Sequence, residues 1–277
     1  MTPPAPDPTG DALLVRAADD DPVRLAALRQ RVRNGEPAAY AAGFLVFRGR
    51  PFSIDARAYI TDPELTHLVD VVNARGRELA RPLERPLRAV EFGVGAGTLA
   101  LSVALENPGW LVTGLDVDPP ALALARANAV SHAARVELLE SDFFSAWPDE
   151  RAEPDLIFGD PPWGGAEDLY ADERDAEYYR RMPARSAFPP GPNRCALHDE
   201  LMARVRERGW TSLLLLNYGV LPRDVIARST GALAWSEFLS PAPHLTIVAG
   251  RAHQPGFRGA AGPSRPSPAQ RPPLRAP

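Results

Sequence analysis

The sequence predicts an α/β fold: a doubly wound, mostly parallel sheet of seven strands with an antiparallel edge hairpin, preceded by a small N-terminal helical and hairpin region. Two observations carry this. From Arg88 onward, short apolar runs alternate with helical patterns, as parallel strands joined by crossover helices require. The last two extended runs then follow one another across a short turn, which closes the sheet with an antiparallel pair.

Each element has its own local reason. Residues 1–10, "MTPPAPDPTG", are Pro-rich and read as disordered. Within residues 11–84, "DPVRLAALRQRVRNGEPAAY" keeps helical periodicity until Asn34-Gly35, a helix-ending pair. "GFLVFRGRPFSI" reads as a hairpin turning at Arg48-Gly49-Arg50. "DPELTHLVDVVNARGRELA" opens with Asp62 before Pro63 and sets Leu65, Leu68, Val69 and Val72 on one helical face. Residues 85–251 hold the sheet. "RAVEFG", "WLVTGLD", "RVELLES", "DLIFGD" and "TSLLLLNY" are its parallel strands, and "ALAWSEFLS" with "HLTIVAGR" is the closing pair. Helices fill "AGTLALSVALE", "PPALALARANAVSH" (with Asp118 as its N-cap) and "PRDVIARS". The final 252–277 hold seven prolines and four arginines without an acid, so they read as a disordered, solvated tail.

Composition narrows the function. A net charge of −4 opposes a protein that grips phosphate backbones, so nucleic acid is disfavoured as a partner. All basic residues are Arg, which matches GC-rich coding better than a nucleic-acid surface. The single Cys195 excludes an internal disulfide and fits a reducing compartment. The five His residues have no paired spacing, and no metal is expected. Without an apolar run of membrane-spanning length or a signal-peptide plan, the expectation is a soluble, cytoplasmic protein with no membrane partner. Oligomeric state is not encoded in any of these features.

Ligands of such sheets bind at the carboxyl ends of the strands. There, "VEFGVGAGTLAL" follows Phe92 with Gly93, Gly95 and Gly97, a turn whose bare backbone a ligand can approach. Strand two ends in Asp116, able to accept both ribose hydroxyls of a nucleoside. Strand three is followed by Asp142 and Phe143, suited to an adenine amino group and its ring. Each acid alone is more often a turn residue; glycines and acids on successive strand ends together specify a nucleoside cleft.

The fourth strand ends in "DPPW". Pro161 lacks an amide hydrogen, and Pro162 holds it extended, so Asp160 and the Pro161 carbonyl form a stiff pair of acceptors. Two acceptors match the two hydrogens of a planar amino group. Trp163 can stack on the flat acceptor. The quartet Asp160, Pro161, Pro162 and Trp163 is therefore the candidate catalytic clamp, against the blander reading of a Pro-Pro turn with a Trp over the core.

The G-x-G-x-G loop resembles that of class I S-adenosylmethionine-dependent methyltransferases, which have a Rossmann-like fold. More specifically, "GEPAAY", the hairpin, "VEFGVGAGTLALSVA" and "DPPW" occur in the order found in the release-factor glutamine N-methyltransferases, a resemblance spanning about residues 25–250. It implies S-adenosylmethionine as cofactor and S-adenosylhomocysteine as product. It also implies that Asp160 and Pro161 stand where that family's "NPPY" motif holds the glutamine amide. Three departures lie in the acceptor-binding parts: Asp160 for Asn, Trp163 for Tyr, and "ITDPELT" for "IPRPDTE", which puts Asp62 in place of an Arg. The leading helical part looks shortened to one or two helices, and residues 164–194 have no counterpart in the family pattern.

The expected activity is N-methylation of a planar amino or amide nitrogen, with a small-molecule acceptor of specialised metabolism preferred because the recognition parts differ. Protein glutamine methylation is the alternative that the family implies. A nucleobase amino methyltransferase and a non-catalytic S-adenosylmethionine-binding subunit are further alternatives, the last disfavoured by the intact clamp. Tyr170, Tyr178 and Tyr179 are candidates for a lid over the acceptor.

Overall fold

The chain between Pro8 and Gln254 builds the expected sheet in a computed structural model that describes residues 8–165, 168 and 176–254. Three short helices come first: α1 (Pro8–Ala18), α2 (Pro22–Arg33) and α3 (Ala38–Ala42). The hairpin β1 (Phe44–Phe47) and β2 (Arg50–Ser53) follows, then a 3-10 turn (Pro63–Leu65) and α4 (Thr66–Ala80). The alternating part is β3 (Arg88–Phe92), α5 (Thr98–Glu106), β4 (Leu111–Asp116), α6 (Pro119–Ser131), β5 (Val136–Glu140) and β6 (Leu156–Gly159). Beyond β6 lie α7 (Ala176–Arg180), α8 (Ala184–Ala187), α9 (Ala196–Glu207), β7 (Leu213–Asn217), α10 (Arg223–Thr230), β8 (Trp235–Ala242) and β9 (Leu245–Arg251).

The strand order is β5-β4-β3-β6-β7-β9-β8, parallel from β5 to β7, with β9 antiparallel to both β7 and β8. Winding runs outward from β3 to one side and resumes at β6 on the other, so the β3–β6 gap is the topological switch point where such sheets bind ligands. β6 and β7 are buried along their whole length, which explains why "LIF" and "LLLL" read as continuous apolar runs. Successive side chains alternate between two cores: Leu156, Phe158, Leu213 and Leu215 on one face, Ile157, Leu214 and Leu216 on the other. The first core takes in α4, α5 and the hairpin; the second takes in α9, Trp147 and Trp210. Leu14, Ala17, Ala18, Leu28 and Ala41 of the leading helices form a third, smaller cluster.

Polar bonds dock the hairpin on the sheet domain. Arg48 and Gly49 both have positive φ, the geometry of a two-residue hairpin turn. That conformation is unusual for Arg48, and its guanidinium is held by Glu106 Oε1 and Oε2 (2.7 and 2.8 Å) and by Thr66. Asn128 of α6 does the same at the other end. It accepts the Ser53 N–H (2.8 Å) and donates to the carbonyls of Ser53 (3.0 Å) and Ala96 (2.9 Å). It thereby ties hairpin, α6 and the glycine loop together.

Five expectations need adjustment. α1 opens at Pro8, inside the stretch 1–10 expected to be disordered, and three leading helices stand where one or two were expected. Ala252, at the start of the presumed tail, is buried in the second core; residues 255–277 lie outside the described ones. Helix α9 was not anticipated, because the fully buried His198 interrupts its stripe of Leu201, Met202 and Val205. Asp118 is at the N-cap position of α6 but makes no capping bond with its side chain. Among the described residues, no helix is long and apolar enough to cross a membrane.

Asn128→Ala leaves buried donors and acceptors without partners. It should lower unfolding free energy by about 1–3 kcal/mol in urea titrations, without altering the slope.

Candidate active site

A cavity of about 700 Å³ opens at the carboxyl ends of β3, β4 and β6. Of the residues expected at a site, Phe92, Gly93, Gly95, Asp116, Asp142, Phe143, Asp160, Pro161, Pro162 and Trp163 all line it. Gly97 does not. It is the left-handed N-cap of α5, where a Cβ would stand 3.0 Å from Leu101 and 3.2 Å from Ala125, so its role is in packing the helix start.

The nucleoside side is built around Asp116. Its Oδ2 accepts the Gly95 N–H (2.7 Å) and its Oδ1 the Asp118 N–H (3.0 Å), which pins the glycine loop to the end of β4. Burial raises its proton affinity, and the two amide bonds offset part of that. Added Cβ atoms at Gly93 and Gly95 would meet no protein atom within 4 Å, so the loop presents a bare cradle to the cavity. Phe143 has a positive φ and stacks on Phe92, with centroids 5.0 Å apart and planes 18° from parallel. Asp142 is exposed at the rim. An apolar wall, a fixed carboxylate and an open backbone cradle fit S-adenosylmethionine: Asp116 suits its ribose, Phe143 and Asp142 its adenine, and the loop its amino-acid end.

The clamp side begins where β6 stops. The Asp160 carboxyl is desolvated and pushed up to about 7; Asp62 across the cavity adds to the rise, while the amide of Asn217 opposes it. Asn217 Nδ2 donates to Asp160 Oδ1 at 2.7 Å. Trp163 lies flat on Gly219, where a Cβ would fall 1.9 Å from the indole, and Gly219 has φ +54°. Neither Asn217 nor Gly219 was singled out from the sequence; "NYG" at a strand end was the signal available.

Beyond the clamp the chain turns back on itself. Gly164 donates its N–H to Arg194 O (2.9 Å), and Asp168 takes both the Gly165 N–H (2.8 Å) and Arg194 Nη1 (2.8 Å). The returning segment supplies the far wall with Tyr179, Arg185 and Phe188, while Met182 packs on Tyr40 of α3, whose hydroxyl reaches its sulfur. Of the three tyrosines proposed as a lid, Tyr179 lines the cavity, Tyr178 packs against the core beneath it, and Tyr170 lies outside the described residues. Five aspartates, 62, 116, 118, 142 and 160, line the cavity against one basic residue, Arg185, among those described. The field inside favours cationic or neutral ligands.

The glycine loop, the strand-end carboxylates and the switch-point sheet fit an S-adenosylmethionine-dependent methyltransferase domain. The family described as "Methyltransferase small domain" matches residues 75–172. Within that class, the chain resembles the release factor glutamine methyltransferases. It is 37% identical over 171 residues to the release factor glutamine methyltransferase of Neisseria gonorrhoeae, covering 60% of each chain. It is 35% identical over 185 residues to the enzyme of that name from Salmonella typhimurium, covering 66% of this chain and 62% of that one. It is also 35% identical over 185 residues to the ribosomal protein uL3 glutamine methyltransferase of Xanthomonas campestris, covering 65% of this chain and 53% of that one. The chain thus spans little more than half the length of these relatives.

Two outcomes test the site. Calorimetry should show S-adenosylmethionine and S-adenosylhomocysteine binding, weakened by roughly 1.5–3 kcal/mol in Asp116→Ala. Because folding raises the Asp160 pKa to about 7, its stabilising effect is complete below the unfolded value and is lost as pH rises through about 7. Asp160→Asn should therefore raise Tm clearly at pH 8 and far less at pH 4, where the folded side chain is protonated and the unfolded one only partly ionised. An equal Tm change at both pH values would show that Asp160 is not desolvated.

Proposed function

We propose that this protein methylates the side-chain amide nitrogen of a glutamine in a protein acceptor, using S-adenosylmethionine. The observation that supports the proposal is that Asp160 and Pro161 line the same cavity as Gly93 and Gly95, in a chain whose relatives are named for glutamine methylation. Those relatives act, by name, on a release factor and on ribosomal protein uL3. What they share is the glutamine amide, and that shared chemistry is what we carry over. This reverses the preference for a small-molecule acceptor drawn from the sequence departures alone.

The chain's own residues supply positioning and electrostatics. Asp160 and Pro161 accept the two N–H groups of the amide and fix its plane, with Trp163 beside it. S-adenosylmethionine supplies an electrophilic methyl group. As the amide nitrogen gains its bond to carbon, it becomes positive and then sheds a proton. An ionised Asp160 stabilises that charge and, with its proton affinity near neutrality, takes the proton. The cytoplasm is the proposed location, where the buried Cys195 stays a thiol.

A second reading, a small-molecule amine as acceptor, is favoured by Asp62 sharing the cavity with Asp160. One substitution separates the two. Asp160→Asn keeps an acceptor oxygen and loses the charge, so it should be impaired less on an amide than on an amine.

With labelled S-adenosylmethionine, purified release factor and uL3 should be tested as acceptors, with mass spectrometry locating the label. Label on a glutamine supports the proposal; label only on small amines overturns it. With the true acceptor, kcat/KM should rise about tenfold per pH unit below about 7 and level off above it, because Asp160 must lose its proton first. Asp160→Ala should lower kcat by ~10²–10³ while cofactor binding persists. Trp163→Ala should act mainly on KM.

A further inference from the structure

We propose that Asn217, at the end of β7, is a positioning residue that fixes the Asp160 carboxylate so that only its Oδ2 is offered to the acceptor nitrogen. The inference rests on the reading of Asp160 and Pro161 as the acceptor clamp.

The register of the sheet sets up the contact. β6 and β7 are parallel neighbours, Gly159 pairing with Leu216, so the next residues outward are Asp160 and Asn217. Asn217 is buried, and its side chain has no rotational choice. Its Oδ1 accepts the Gly219 N–H at 2.8 Å, which leaves Nδ2 to donate to Asp160 Oδ1 at 2.7 Å. An amide with its two ends exchanged would lose both bonds.

The backbone is held as firmly. The Asn217 carbonyl lies 2.7 Å from His198 Nε2. His198 is fully buried and its pKa is driven down to about 4, so it is neutral and Nε2 carries the proton that this carbonyl accepts. Tyr218 packs against the same imidazole, with ring centroids 4.0 Å apart and planes tilted by 35°. Asn217 is thus fastened through its oxygen, its amide and its carbonyl.

A chemical consequence follows for Asp160. Oδ1 receives an N–H from Asn217 in either protonation state, so the titrating proton resides on Oδ2. Protonated, Oδ2 is a donor facing an acceptor's N–H; ionised, it is the acceptor that the clamp needs. Asn217 therefore converts loss of one proton into a change in the polarity of one defined oxygen. The groups around Asp160 are Asp62 from the segment before α4, Glu91 from β3, Asp116 from β4, the Trp163 indole, and Tyr59, Tyr179 and Arg185 on the cavity wall. Burial and Asp62 hold the proton on; Asn217 and Trp163 favour its release.

The experiment compares wild type, Asn217→Ala, Asn217→Asp and Asp160→Ala in the full chain, with steady-state kinetics from pH 5 to 9 on the methyl-accepting protein and calorimetry of S-adenosylhomocysteine. In Asn217→Ala, kcat/KM should fall by about tenfold or more and its pH midpoint should move upward, with nucleoside affinity unchanged. In Asn217→Asp, a like charge beside Asp160 should move the midpoint further up, with activity partly restored at pH 9. Asp160→Ala at wild-type turnover would remove the clamp reading itself. Loss of turnover in Asp160→Ala together with an unmoved midpoint and unchanged kcat/KM in Asn217→Ala would overturn the role of Asn217 alone. If Asn217→Ala does not fold, NMR of the wild type decides. The Asn217 side-chain amide nitrogen should titrate with the same midpoint as the ¹³C-labelled Asp160 carboxyl, and an amide indifferent to that titration would overturn the inference.

Discussion

Gly159 governs how the cleft comes together. A Cβ at this position would stand 2.5 Å from the Phe92 carbonyl oxygen, well inside contact distance. Only a residue without a side chain lets the ends of β3 and β6 run this close at the switch point of the sheet. Phe92 leads directly into the glycine loop, and Gly159 leads directly into the clamp. The approach of two backbones thus brings the glycine loop and the Asp160–Trp163 turn into one cavity. Any side chain at 159 would have to push apart two central strands that are packed on both faces.

The same convergence gathers three acidic side chains, each of which burial pushes toward its protonated form. Glu91, Asp116 and Asp160 end up near one another with no basic side chain bonded to any of them among the described residues. What holds them is a set of neutral donors: the Ala100 N–H on Glu91 (2.6 Å), the Gly95 and Asp118 N–H groups on Asp116, and the Asn217 amide on Asp160. Arginines are spent elsewhere, on pairs such as Arg48 with Glu106 and Arg85 with Asp155. Neutral donors orient a carboxylate without cancelling its charge. To the extent that these groups are ionised, the cavity therefore attracts a sulfonium and a nitrogen that becomes positive.

Much of this was legible in the chain. Period-two and period-3.6 patterns located the strands of the sheet because those strands obey local rules, and "GVGAG" and "DPPW" are contiguous motifs that sit at strand ends by construction. The residues that escaped notice act across long sequence distances. Asn217 meets Asp160 only because β7 pairs with β6, and Gly219 matters only because Trp163 lies on it. Gly97 belonged to a motif that suggested ligand contact, yet its neighbours are Leu101 and Ala125. Helix α9 was hidden by a buried His198 whose bond to a strand carbonyl no local pattern reveals.

The closed excursion after the clamp has a bearing on descent. The chain turns away at Gly164, past the end of β6, and returns at Arg194, just before α9, and those two residues are hydrogen-bonded to each other. That bond holds the two ends together, while Tyr179, Met182 and Ala187 within the segment are buried against the rest of the chain. The excursion carries Tyr179, Arg185 and Phe188, which face the acceptor side of the cavity, whereas the cofactor cradle is built before it. Changes confined to the described part of that segment would alter the wall that Tyr179, Arg185 and Phe188 form and leave Gly93, Gly95 and Asp116 in place. A lineage that varied there would alter that wall before it altered the glycine loop.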